Sequence, residues 1–128
     1  MLHIFTFYTD ENRLIYLKQT QQNHSVNIKY LYNSSWNGYI DKILYMLDTI
    51  KDIPDDDIVC FIDAYDVLIN SNVYDILDKF KSYRCNLLIG AELNCFPSEY
   101  KLQMDNVSKI LNLNTLNKYI NSGDKNEN

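Results

Sequence analysis

Apolar, β-rich runs alternate along this chain with segments whose apolar residues recur at helical spacing, and that alternation limits the fold more than any other feature. Leu2 to Tyr8 reads as a buried strand that stops at the polar cluster Thr9-Asp10-Glu11-Asn12, with Asp10 placed to cap a helix carrying Leu14, Ile15 and Leu17. Val26, Ile28 and Tyr30 alternate with polar neighbours, as in a half-buried strand. The loop Asn33-Ser34-Ser35-Trp36-Asn37-Gly38 leads into Ile40, Ile43, Leu44, Leu47 and Ile50, spaced as one face of an amphipathic helix. Pro54-Asp55-Asp56-Asp57 is a solvated turn before Ile58 to Ile62, a continuous apolar run suited to a central parallel strand covered on both faces. Ser71 or Asn72 caps a helix through Val73, Ile76, Leu77 and Phe80, and Leu87 to Gly90 gives another short strand. This order predicts an α/β domain with a mainly parallel sheet, whose ligands gather at the carboxyl ends of the strands.

At 128 residues and 46% hydrophobic, the chain has room for one compact domain. A net charge of -5 leaves no broad positive surface for a phosphate backbone, so no nucleic-acid partner is expected, and an anionic nucleotide needs a local cation. No stretch approaches the roughly 20 apolar residues that span a bilayer. The first residues lack the basic flank of a signal peptide, so a cytoplasmic protein without a membrane partner is expected. Cys60, Cys85 and Cys95 have no Cys-x-x-Cys spacing and read as one buried strand thiol and two loop thiols; His3 and His24 are isolated. The abundance of Asn, Ile, Lys, Tyr and Asp, with few Gly and Pro, points to an AT-rich genome and carries no functional weight.

Chemistry concentrates where the run Ile58 to Ile62 ends. Asp63 and Asp66 stand three residues apart in Asp63-Ala64-Tyr65-Asp66, where a tight loop can turn both carboxylates toward one cation. Hard oxygen ligands suit Mn²⁺ or Mg²⁺, which bridge the phosphates of a nucleoside diphosphate. The spacing is equally met by an Asp that ends a strand and an Asp that makes a local turn.

Phe61-Ile62-Asp63-Ala64-Tyr65-Asp66-Val67 resembles the Asp-x-x-Asp metal motif of the glycosyltransferase domain of multifunctional procollagen lysyl hydroxylases. Gly90-Ala91-Glu92 followed by Cys95-Phe96-Pro97 is similar to that family's Ala-Glu and Cys-Trp-Pro run, and Tyr119-Ile120-Asn121-Ser122-Gly123 to its Asn-Ser-Gly loop, after a Trp-Asn pair matched by Trp36-Asn37. The resemblance implies a Rossmann-like GT-A nucleotide-sugar-binding fold. Asp63 and Asp66 would hold Mn²⁺ (or Mg²⁺), and Tyr65 would lie against the uracil or ribose of a UDP-sugar. Thr9 would line the nucleotide site, and Lys42 would approach the phosphates, although a lysine there equally suits a solvated helix face. Trp36 lines the donor pocket or covers the core from its loop.

The resemblance spans most of this chain but only about the first half of the family's domain. Residues 1–123 are accordingly read as a partial GT-A domain and 124–128 as a disordered tail, with no counterpart to the family's metal-binding histidine. The implied donor is UDP-glucose or UDP-galactose and the implied acceptor a collagen-like chain, with little transfer by this chain alone and a homodimer through an unpaired sheet edge. Two alternatives stand beside this reading. One is a non-catalytic remnant that binds a nucleotide or a partner; the other is a haloacid-dehalogenase-like phosphatase, in which the second Asp lies two residues after the nucleophile rather than three.

Overall fold

The computed structural model describes residues 1–92, 98–112 and 119–120. The chain forms two compact units, the first being Met1–Arg84 and the second beginning at Cys85. In the first unit, β1 (Leu2–Tyr8) leads through a 3-10 turn (Glu11–Leu14) into α1 (Ile15–His24). There follow β2 (Ile28–Tyr32), α2 (Tyr39–Ile50), β3 (Ile58–Phe61) and α3 (Val73–Ser82). The three strands form one parallel sheet in the order β2-β1-β3, with Ile4 opposite Ile28 and Cys60. The fold is the α/β, Rossmann-like arrangement expected, with strands and helices in alternation.

Strand β1, not β3, occupies the centre. Consecutive residues Ile4, Phe5 and Thr6 are all buried, as continuous burial on both faces requires, whereas every residue of Ile58–Phe61 is half-buried. The apolar run of β3 suggested a central strand, but among the described residues β3 pairs with β1 alone and forms an edge.

Side-chain alternation along β1 divides the packing. Ile4 points into a cluster with Leu17, Val26, Ile28 and Ile69, against which Cys60, Ile62 and Ile76 pack, so α1 and α3 cover this face. Burial raises the Cys60 thiol pKa above its ordinary value. On the opposite face an aromatic ladder runs outward. Phe61 stacks on both Phe5 (5.6 Å) and Phe7 (5.7 Å), Phe7 meets Tyr45 of α2 at 6.0 Å, and Tyr45 meets Trp36 at 6.4 Å.

The ladder sets the rotation of α2. Its half-buried stripe is Lys42, Tyr45, Met46 and Thr49, while Ile40, Ile43, Leu44 and Leu47, expected to face the core, are each more than half exposed. Gly38 starts the helix at φ +106° and ψ -168°, a conformation essentially confined to glycine. The Asp41 carboxylate reaches back to the Asn37 N–H at 2.7 Å and closes the helix start. The helix caps expected at Asp10 and Asn72 are also made: Asp10 accepts from the Asn12 N–H, and Asn72 from the N–H groups of Tyr74 and Asp75.

The second unit holds β4 (Ala91–Glu92), a 3-10 turn (Ser98–Tyr100), α4 (Lys101–Ile110) and β5 (Tyr119–Ile120), with β4 and β5 antiparallel. The strand expected over Leu87 to Gly90 does not form; pairing begins one residue later, and Leu87, at 74% exposure, lacks the two covered faces that such an apolar strand needs. Cys95-Phe96-Pro97, Asn121-Ser122-Gly123 and the tail 124–128 lie outside the described residues. Among the described residues no helix is long and apolar enough to cross a membrane.

Candidate functional site

The predicted site residues fall beyond the carboxyl ends of the three parallel strands: Thr9 after β1, Trp36 and Lys42 after β2, and Asp63, Tyr65 and Asp66 after β3. Parallel α/β sheets bind ligands on this side, because the strand-to-helix loops converge there.

The loop after β3 is fastened along its length. The Ile62 N–H bonds to the Phe5 carbonyl at 3.0 Å, and the Ile62 carbonyl accepts from the buried Thr6 hydroxyl at 2.8 Å. Ala64 is buried, and the Ile69 N–H donates to the Thr20 hydroxyl of α1 at 2.9 Å while the Ile69 side chain enters the core. Between these anchors Asp66 is exposed.

Two pairs of predicted residues meet. The Lys42 ammonium donates to Asp63 Oδ1 at 2.5 Å, with both side chains largely shielded (20% and 29% exposed). Charge-assisted bonds of this kind are the strong ones, and partial burial protects the pair from screening. The second pair joins the strand ends: the Tyr65 hydroxyl accepts from the N–H groups of Thr9 (2.8 Å) and Asp10 (3.0 Å) and shares a hydrogen bond with the Thr9 hydroxyl (3.2 Å). Tyr65 thus bridges the ends of β1 and β3. Trp36 is separate from both pairs, half-buried against Tyr45.

Asp66 makes no hydrogen bond or ion pair among the described residues, and no group of three or more His, Cys, Asp or Glu side chains there could hold a metal ion. His3 lies at the opposite end of the sheet, where its Nε2 pairs with Asp57 Oδ2 at 2.8 Å.

Sequence reasoning overlooked Arg13. Its guanidinium carbon sits 3.9 Å from the centre of the Tyr65 ring, a cation–π contact that covers one face of that ring. The only sequence signal was a basic residue in the turn directly after the first strand, a place with many surface arginines. With Lys42, it places positive charge at this end of an otherwise acidic chain.

This end of the sheet thus carries a fastened acidic loop, a lysine on its first carboxylate and an arginine on its tyrosine. No curated protein matches the chain. The sequence pattern of the PLOD GT domain matches residues 17–125, a span that includes Trp36, Lys42, Asp63, Tyr65 and Asp66 and leaves Thr9 just outside. It runs over most of both units and speaks for a glycosyltransferase domain rather than a phosphatase: the chain belongs to the PLOD glycosyltransferase-domain family.

Proposed function

We propose that this domain binds a UDP-sugar, UDP-glucose or UDP-galactose, through a divalent cation held by Asp63 and Asp66, as part of sugar transfer to a hydroxyl of a collagen-like chain. The observation that carries this reading is the Lys42–Asp63 pair: the carboxylate at the end of β3 already holds a positive group at 2.5 Å, on a loop fastened at both ends, with Asp66 three residues on.

The donor set fits Mn²⁺ or Mg²⁺. Both are hard cations, and Mg²⁺ is commonly bound by one or two carboxylates, with waters and substrate phosphates completing its shell, so two aspartates suffice once a diphosphate is present. When bound, such a cation supplies neutralisation of charge on the leaving diphosphate. The chain's own residues do the positioning. Tyr65 keeps Thr9 and Asp10 in place at the nucleotide end and would take the uracil or ribose against its ring, while Lys42 and Arg13 offset the negative charge of the phosphates.

Calorimetric titration with UDP, in Mn²⁺ and in chelator, tests the reading. UDP should bind only with Mn²⁺, and Asp63→Ala or Asp66→Ala should weaken that binding at least tenfold while the circular dichroism spectrum stays unchanged. Equal affinity for UDP in chelator and in Mn²⁺ would remove the metal from the proposal.

A further inference from the structure

We infer that Lys42 is a built-in counter-ion which a divalent cation must displace from Asp63, so that cation and diphosphate bind cooperatively. This inference rests on the proposed function, and it assigns to the same site an order of events.

A divalent cation taken up by the Asp63 carboxylate, on either oxygen, stands within a few ångström of the ammonium held at Oδ1, and the repulsion between the two cations drives the ammonium off. The ammonium is well placed to stay until it is displaced. The Lys42–Asp63 pair is only 20% and 29% exposed, and Lys42 has no competing acid within its own turn, since Asp41 is turned back onto the Asn37 N–H. Lys42 also stands near the amino end of α2, where the helix dipole disfavours a cation and favours an anion. Held by Asp63, the lysine is neutralised; released, it becomes a cation at a helix end suited to negative charge.

Displacement therefore changes the site in two ways. The carboxylates pass to the divalent cation, Asp66 gaining its first partner among the described residues, and the freed ammonium becomes available to the diphosphate. Without the cation, Lys42 is occupied and a diphosphate meets the exposed Asp66 carboxylate. Without the diphosphate, the cation must expel Lys42 with nothing to receive it. Each ligand is weak alone, and each strengthens the other by an equal factor.

The test measures Mn²⁺ binding by electron paramagnetic resonance without nucleotide, for the unmodified chain and for Lys42→Met, Lys51→Met and Asp63→Asn. Lys42→Met should bind Mn²⁺ roughly tenfold more tightly, given the worth of a charge-assisted bond in a half-buried pair. Lys51→Met, which removes the same charge from an exposed lysine paired with Asp48, should match the unmodified chain. The factor by which Mn²⁺ strengthens UDP binding should fall in Lys42→Met. On the unmodified chain, Mg²⁺ with UDP should shift the Lys42 ammonium resonance in ¹H–¹⁵N spectra, a readout independent of how the variants fold.

Mn²⁺ binding that is lost in Asp63→Asn but not tightened in Lys42→Met overturns this inference and leaves the proposed function standing. A stationary Lys42 resonance at saturating Mg²⁺ and UDP does the same. No Mn²⁺ binding by any form, with or without UDP, sinks the proposed function and the inference with it.

Discussion

Asp57 and Asp63 flank the same strand, and the two ends treat their carboxylates differently. At the amino end of β3 both oxygens of Asp57 are taken: Oδ1 by the Met1 ammonium at 2.9 Å and Oδ2 by His3 Nε2 at 2.8 Å, both from the start of β1. At the carboxyl end, among the described residues, only Oδ1 of Asp63 is engaged, by a lysine from α2, and Asp66 follows three residues on, exposed. The first end is closed, with partners drawn from the neighbouring strand. The second is open, with a partner on a separate helix and capacity left over. A saturated carboxylate serves stability; one with a spare oxygen and a replaceable partner can serve a ligand.

The largest expected effect concerns what delivers the replaceable partner. Gly38→Ala forces an L side chain into φ +106°, and although a Cβ there meets nothing within 4 Å, the backbone cost should be about 1–3 kcal/mol by urea unfolding. An unchanged midpoint would mean that the start of α2, and hence the position of Lys42, does not depend on that glycine. A smaller effect is expected from Tyr65→Phe, which removes the acceptor of two backbone N–H groups at the open end. The loss should be about 0.5–1.5 kcal/mol, because water can reach the exposed donors. Amide exchange at Thr9 and Asp10 should quicken while that at Ile4 is unaltered; protection that persists at all three would show that Tyr65 does not tie the strand ends together.

The smallest effect tests the closed end. Hydrogen bonds from His3 and then from the terminal ammonium hold the Asp57 carboxyl below its ordinary pKa. A folded-state pKa below the unfolded one gives stabilisation that is full above the unfolded value and is lost as pH falls through the folded value. Asp57→Asn should therefore lower the thermal midpoint near pH 7, the difference from the unmodified chain should shrink in acid, and Mn²⁺-dependent UDP binding should be unaffected. A midpoint difference that is constant from pH 7 to acid would break the contrast between the ends.

What could be read from the sequence is what is decided locally. Leu2–Tyr8 is a strand with the bounds its apolar run suggests, and the caps at Asp10 and Asn72 follow from side chains that bond within three residues of themselves. Sheet order is not local: Ile58–Phe61 is more continuously apolar than a typical edge strand, yet the neighbour that makes β1 central arrives only through pairing. The site divides in the same way. Asp63 and Asp66 were visible as a motif, but the Lys42–Asp63 pair spans 21 residues and the Tyr65–Thr9 bond spans 56. The residues expected to serve one ligand serve each other, a role that their types permitted and no spacing announced. The inward stripe of α2 was missed because its apolar periodicity favoured Ile40, Ile43, Leu44 and Leu47, whereas the aromatic ladder and the ion pair turned Tyr45 and Lys42 to the sheet.

Cys60 lies within the β1 and β3 pairing, its thiol packed against the apolar cluster and its pKa raised by burial. Oxidants attack the thiolate, so in the folded chain partial burial and the raised pKa both slow attack on this sulfur. It becomes more reactive when the two strands part. A sulfinic acid formed in that interval is not reversed by ordinary thiols, and its charge has no partner among Ile4, Leu17 and Ile28, so β3 could not pair again as before. Chemical ageing of the domain would then follow strand separation, and a molecule whose Cys60 reaches the sulfinic state while open would keep that mark.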